Sequence, residues 1–254
     1  MPSKRSVSLV LPAYNEVNRI AGTIGEASSY FKQREYSYEI IVTADGNDGT
    51  RELVAEMART DPTLRVIGSV ERRGKGYGIR EGVALAKGEI IGFADADNKT
   101  PIEELDKFTP WLRDGYEVVI GSRAMRESHI EQAQPLYRRW GSKGFRLFMH
   151  AVVGLHDIND TQCGFKFFQR HAAQDLFGRQ RIDGYMFDVE ILYLARQAGY
   201  RIAQVPVRWR DDGDSRLALL SSNVQNVIDI FRIRFGKSRQ AVLLPARKEG
   251  EART

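Results

Sequence analysis

Five short apolar runs punctuate the first half of the chain: SVSLVLP (6–12), YEIIVTA (38–44), LRVIG (64–68), EIIGFA (89–94) and EVVIGS (117–122). Each is apolar at nearly every position rather than at every second one, which marks a strand covered on both faces. Between them lie segments of helical composition at roughly 16–33, 49–59, 77–87 and 102–113. Strand and helix in alternation predict an α/β fold, a mostly parallel sheet with helices on both faces. The rhythm stops near residue 122, and RRWGSKGFR, NDTQCGFKFFQR, YMFDVEILYLARQAG and a last strand in IAQVPVRW follow. No repeat or composition shift marks a second unit. The expectation is one domain over 1–236 and a charged, small-residue tail over 237–254 that is disordered.

Open parallel sheets bind ligands beyond the carboxyl ends of their strands. Here PAYNE follows the first strand, DGNDGT the second, RRGKGYG the third and DADN the fourth. Any one of these reads as an ordinary surface turn, but four at strand ends favour a site. In DADN, alternation predicts Asp95 and Asp97 on one side of an extended chain, where like charges repel unless a cation joins them. Mg²⁺ or Mn²⁺ suits the pair, because such ions take one or two carboxylates and fill the rest of their shell with substrate phosphates. The alternative is a helix cap near Pro101, a task that Asn98 and Thr100 also suit. RRGKGYG lacks the spacing of a Walker loop. Its glycines allow a close backbone approach, and Arg72, Arg73 and Lys75 are placed to meet phosphate oxygens; a glycine-rich turn with solvated cations is the plainer reading.

Charge narrows the partners. The 254 residues carry 38 Lys and Arg against 33 Asp and Glu, a net charge of +5, so the partner is expected to be anionic or the surface merely basic. Nucleic acid is not expected, since the basic residues lack interleaved stacking aromatics. A single cysteine, Cys163, excludes an intramolecular disulfide and a cysteine zinc cluster. His129, His150, His156 and His171 show no metal-ligand spacing. The apolar stretch ending at Pro12 is short for a secretory signal, and no window reaches the roughly 20 apolar residues of a spanning helix. The expectation is therefore a cytoplasmic chain that crosses no membrane. Two helical stripes could still touch one: Leu136, Tyr137, Trp140, Leu147, Phe148 and Ala151 with flanking Arg139, Lys143 and Arg146, and Leu217, Leu220, Val224, Val227, Ile228, Phe231 and Phe235 followed by Arg232, Arg234, Lys237 and Arg239. Packing on the sheet is the competing reading.

Taken together, VSLVLPAYNE, DGNDGT, RRGKGYGIREGVALAKGEIIGFADAD, VIGSR, DTQCGFKFF and FDVEILYLA resemble the inverting family 2 glycosyltransferases of the GT-A fold. The resemblance covers about residues 5–236 and is nearest to dolichyl-phosphate β-glucosyltransferases, then to dolichyl-phosphate mannose synthases. It implies hexose transfer, glucose first, from a nucleotide-diphosphate sugar to a polyprenyl phosphate. UDP-glucose is favoured over GDP-mannose, with Mg²⁺ or Mn²⁺ and peripheral contact with an anionic membrane at its cytoplasmic face. By the same resemblance Pro12, Tyr14, Glu16, Asp45, Lys75 and Asp95 belong to donor binding. Asp95 and Asp97 hold the metal. Asp97, Asp188 and Arg123 are catalytic, and Arg123, Arg138, Arg139 and Ser142 grip the acceptor phosphate. Two departures stand out. Ala44 replaces the first acid of the usual Asp-Asp-Gly-Ser, and Lys99 stands where mannose synthases carry a metal-supporting glutamine.

The chemistry needs no strong base, since a phosphate monoester is already largely anionic at neutral pH. A glycosyltransferase with a small hydroxyl acceptor would need a base instead. A nucleotide-sugar sensor is the non-enzyme alternative, disfavoured because it need not keep both Asp95 and Asp97.

Overall fold

The structure, a computed structural model, describes residues 6–130, 149, 151–210 and 221–236. Five predicted strands form: β1 (Ser6–Tyr14), β2 (Ser37–Asp45), β3 (Leu64–Ile67), β4 (Ile90–Ala94) and β5 (Val118–Ser122). The intervening helices are α1 (Ile20–Gln33), α2 (Thr50–Ala58), α3 (Lys75–Leu85) and α4 (Leu105–Arg113), the last entered through a short 3₁₀ turn. Beyond them come β6 (His129–Ile130), β7 (Phe165–Gln169), α5 (Arg170–Arg179), α6 (Phe187–Gln197), β8 (Ile202–Pro206), β9 (Arg208–Trp209) and α7 (Ser221–Phe235). The last predicted strand is therefore two, parted at Val207.

Seven strands make one sheet in the order β3-β2-β1-β4-β7-β5-β8. All neighbours are parallel except β7, which runs antiparallel between β4 and β5. Its side chains alternate between the two faces. Phe165 and Phe167 join the core under α1, α2 and α4, and Phe168 joins the core under α3, α5, α6 and α7. The fold is thus a GT-A, Rossmann-like sheet with helices on both faces. Among the described residues no helix is long and apolar enough to cross a membrane.

One detail of register opens the site. The β1–β4 ladder runs only from Val7–Ile90 to Val10–Phe93, whereas β1 stays paired with β2 as far as Tyr14. Pro12, which has no N–H to donate, lies in this one-sided stretch. The sheet order turns at β1, with β2 and β4 on either side, so the strand ends splay into a crevice of the kind that binds ligands in open sheets.

The helix α7 uses its faces otherwise than simple packing would require. Ile230 and Ile233 enter the core, while Val224 (68% exposed), Ile228 (41%), Phe231 (45%) and Phe235 (73%) form an outward stripe. Of the predicted stripe, Leu217 and Leu220 lie outside the described residues, as do Lys237 and Arg239. The other predicted stripe falls there too, from Leu136 to Phe148, together with the tail from 237.

Candidate active site

The extended Asp-x-Asp expectation is corrected. The chain turns sharply after β4: the Asn98 N–H donates to the Asp95 carbonyl (3.2 Å), and Asn98 takes a positive φ of 54°. Asn98 Nδ2 is held by Glu26 (2.6 Å) and the Ala96 carbonyl by the Thr23 hydroxyl (2.7 Å), which fixes the turn to α1. The helix-cap alternative also fails, because the 3₁₀ turn starts after Pro101 without any side-chain cap. Each carboxylate has its own cation. Lys75 Nζ lies 2.6 Å from Asp95 Oδ1, and Lys99 Nζ lies 3.6 Å from Asp97 Oδ2. Burial would lower the Lys75 pKa, but Asp95 and then Asp188 outweigh it and hold the ammonium well above its usual range. Burial first, then the Asp95 charge, raises the Asp97 carboxyl above the ordinary carboxylate range, against Lys99.

Behind this pair lies a second one that sequence reasoning missed. Lys166 of β7 is fully buried and donates to Asp188 (2.5 Å) and to the Cys163 carbonyl (2.6 Å). Its ammonium also sits 5.4 Å from the Phe93 ring centre. A lysine among the aromatics of FKFF was the available signal, since alternation turns it inward and an inward charge must be paired. Asp188 and Glu190 are both buried at the start of α6. Burial raises both carboxyls, opposed at Asp188 by Lys166 and Lys75. Glu190 accepts from the Arg181 and Ile182 N–H groups and ties that loop. Asp188, catalytic by the resemblance, faces Lys166 from within the core. Its charge also acts on Lys75.

Gly164 was missed as well. A Cβ there would lie 2.1 Å from Asp95 Oδ2, while the Asp95 N–H donates to the Gly164 carbonyl (3.1 Å). Two glycines of RRGKGYG stand where a side chain would meet neighbouring atoms. A Cβ on Gly76 would meet the Ile182 carbonyl at 2.6 Å, and one on Gly78 would meet the Thr43 hydroxyl at 2.8 Å.

Of the donor residues predicted from resemblance, Pro12 and Tyr14 lie at the end of β1 and Asp45 at the end of β2. Asp45, at the end of β2, accepts from the N–H groups of Ser69 (3.2 Å) and Arg73 (2.8 Å) and from the Arg73 guanidinium (3.2 Å). It thereby folds the arginine loop toward β1. Arg72 lies over the Tyr14 ring (4.4 Å) and donates to the Tyr185 hydroxyl (3.0 Å). The Glu16 N–H is held by Thr50 (2.9 Å) and the Val17 N–H by Asp48 (3.1 Å), so the PAYNE loop is fixed to the start of α2.

On the other flank, Arg123 after β5 makes a forked pair with Asp160, Nε to Oδ2 at 2.7 Å and Nη2 to Oδ1 at 2.9 Å. Burial works against both charges, but each partner outweighs it: Arg123 is raised and Asp160 is lowered to about 2. A guanidinium has five N–H donors, and this fork uses two of them. Arg123 and Lys99 both approach the Trp209 ring, at 5.5 and 5.8 Å, which links the two flanks. Arg138, Arg139 and Ser142 lie outside the described residues.

Two carboxylates on a fixed turn suit a divalent ion that takes its remaining ligands from phosphate. Among the described residues no third acidic, histidine or cysteine side chain completes a protein-only metal cage. With Lys75 on Asp95 and Arg123 beside Trp209, the crevice suits a phosphate-bearing ligand, and the sheet is of GT-A type.

The chain belongs to glycosyl transferase family 2, whose pattern matches residues 8–177, and it is a glycosyltransferase. It is 34% identical over 243 residues to a dolichyl-phosphate beta-glucosyltransferase of Trichomonas vaginalis, covering 91% of this chain and 72% of the relative. Identity is also 34% to the dolichyl-phosphate beta-glucosyltransferase of Homo sapiens over 247 residues, 92% of this chain and 76% of the relative. Among solved structures, the glucosyl-3-phosphoglycerate synthase of Mycobacterium tuberculosis, in complex with Mn²⁺, UDP and phosphoglyceric acid, superposes with a TM-score of 0.68 at 22% identity, over 91% of this chain and 79% of that one. The mannosyl-3-phosphoglycerate synthase of Rubrobacter xylanophilus gives 0.67 at 19%, over 89% and 72%. At that identity the likeness concerns the fold.

Proposed function

We propose that this enzyme moves a hexose, glucose first, from a nucleoside-diphosphate sugar to a phosphate-bearing acceptor. The observation that carries the reading is the Asp95–Asp97 turn at the crevice, with Lys75 fixed against it and Arg123 across from it. The bond between the anomeric carbon and the diphosphate breaks, and the diphosphate leaves with the electron pair. An acceptor oxygen forms the new bond from the opposite face. For a phosphate nucleophile no proton need move.

Roles follow from position. Tyr14 and Arg72 form a flat cationic lip for the nucleotide, with Pro12, Glu16 and Asp45 shaping it. Asp95 holds Lys75 toward the diphosphate, Lys166 and Asp188 support that lysine from behind, and Arg123 meets the acceptor phosphate. Asp97, with Asp95, would hold Mg²⁺ or Mn²⁺, which supplies charge for the leaving diphosphate when bound. Arg138, Arg139 and Ser142 remain further acceptor candidates by resemblance.

Two acceptor classes have support. Relatives above 30% identity include dolichyl-phosphate beta-glucosyltransferases, and the outward stripe of α7 with Arg232 and Arg234 suits a lipid surface at the cytoplasmic face of a membrane. The second class is a small phosphate-bearing molecule, such as the phosphoglyceric acid bound in solved synthases of the same fold, whose hydroxyl would attack the anomeric carbon and pass its proton to water or a carboxylate. The deciding assay incubates the enzyme with labelled UDP-glucose or GDP-mannose, Mg²⁺ or Mn²⁺, and either polyprenyl phosphate or 3-phosphoglycerate. Transfer to the lipid alone supports the first class, and transfer to phosphoglycerate the second. Transfer to neither, with hydrolysis of neither donor, would overturn the reading.

A further inference from the structure

We infer that Trp209 is a positioning residue of the acceptor clamp, whose indole fixes the pose in which Arg123 presents its remaining N–H donors to a phosphate. The inference rests on the reading of Arg123 as the acceptor cation. Arg123 is tied to Asp160 through Nε (2.7 Å), Nη2 (2.9 Å) and its main-chain N–H (2.9 Å). All three bonds end on one carboxylate, so the fork by itself lets the two side chains tilt as a unit. The Trp209 ring comes from another strand and lies 5.5 Å from the guanidinium carbon. That is within the roughly 6 Å over which an aromatic face attracts a cation, and it constrains the guanidinium in a second direction. The Arg123 side chain keeps 30% of its surface exposed, so the clamped cation still reaches a ligand.

The main chain around Trp209 is braced toward both halves of the site. On the acceptor side the Val207 N–H donates to the Ser122 carbonyl (3.3 Å), next to Arg123, and Trp209 pairs in register with Ile130 of β6. On the donor side the Arg210 N–H donates to the Lys99 carbonyl (2.9 Å), close behind Asp97. Glu104, only 2% exposed, accepts from the Arg208 N–H (3.2 Å), from Arg208 Nε (2.7 Å) and from Lys107 (2.6 Å). A buried carboxylate must be paired, and here the pairing pins the residue just before the indole. A ring mounted this firmly orients a cation without itself having to be ordered when the ligand arrives. β9 thus sets the position of the clamp relative to the carboxylate turn.

The test is steady-state transfer from UDP-glucose, or from GDP-mannose if that is the donor turned over, with polyprenyl phosphate and 3-phosphoglycerate each varied as acceptor. The proteins are wild type, Trp209→Leu, Trp209→Phe, Arg123→Gln and the double variant Arg123→Gln with Trp209→Leu, and calorimetry gives their affinity for UDP or GDP. Trp209→Leu should raise the acceptor KM about tenfold, the size of one partly desolvated cation–π contact, with kcat and nucleotide affinity little changed. Trp209→Phe should recover most of the loss, since its ring keeps an attracting face. In the Arg123→Gln background Trp209→Leu should cost nothing further. If it costs as much there as in wild type, or if its loss is one of nucleotide affinity, the inference falls and the clamp reading stands. If Arg123→Gln leaves the acceptor KM unchanged, or neither acceptor is used, both fall. Should Trp209→Leu melt below the assay temperature, Trp209→Met makes the same comparison.

Discussion

Lys166 and Asp188 meet at 2.5 Å with side chains only 0% and 4% exposed, a complete ion pair inside the sheet–helix core. Removing one partner leaves the other charge in an apolar surrounding, so Lys166→Met or Asp188→Asn should cost about 3–5 kcal/mol. Removing both charges at once, in Lys166→Met with Asp188→Asn, should cost clearly less than the two single losses added together. Urea unfolding of the four proteins checks this. Strict additivity would mean that the pair does not act as a unit.

Arg123 and Asp160 predict a pH effect of definite sign. Asp160 falls to about 2 from an ordinary 3.8, so the folded state favours its ionised form. The stabilisation is complete above the unfolded value and is lost as pH falls from about 4 through about 2, worth about 2 kcal/mol. Asp160→Asn should be less stable than wild type at pH 7, and the gap should narrow across that window. Unfolding midpoints measured between pH 2 and 7 provide the test. A gap that holds constant down to pH 2 would remove Asp160 as its source.

How much of this was legible beforehand differs between elements. The β1 to β5 rhythm was legible because strands covered on both faces read as continuous apolar runs. β7 was not recognised as a strand of the sheet, for an antiparallel insertion follows no βα rhythm. In the site, Asp95 and Asp97 were found from position. Their geometry was not, because the turn is set by Thr23 and Glu26, which lie 73 and 72 residues away in sequence. Asp160 and Gly164 stayed silent for the same reason: their partners, Arg123 and Asp95, are distant along the chain. Lys166 alone carried a local clue, a cation in an aromatic strand.

The outward stripe of α7 separates the acceptor classes. Phe231 and Phe235 stack with ring centres 6.2 Å apart on the exposed side, next to Arg232 and Arg234. If this face meets lipid, wild type should sediment with anionic vesicles at low salt and dissociate as salt screens the arginines. Phe231→Ser with Phe235→Ser should reduce that binding several-fold without lowering thermal stability, because neither ring is in the core. Equal sedimentation of variant and wild type would show that the stripe does not contact the vesicle.

Gly164 offers the sharpest separation of site from scaffold. An added Cβ would stand 2.1–2.5 Å from the Asp95 carboxylate atoms, and the main chains of the two residues are tied by a hydrogen bond. Relief must therefore come from the Asp95 side chain, which would leave Lys75. In Gly164→Ala the overpacking should cost about 1–3 kcal/mol of stability. Turnover should fall further than that loss explains, by about a hundredfold, because a displaced electrostatic group loses most of its effect on developing charge. The control is an Asp95→Ala background, in which the carboxylate is gone and the alanine has room. There Gly164→Ala should change the remaining turnover little and restore much of the stability. If Gly164→Ala slows transfer equally in both backgrounds, the glycine acts on something other than Asp95, and the contact between them is only a matter of packing.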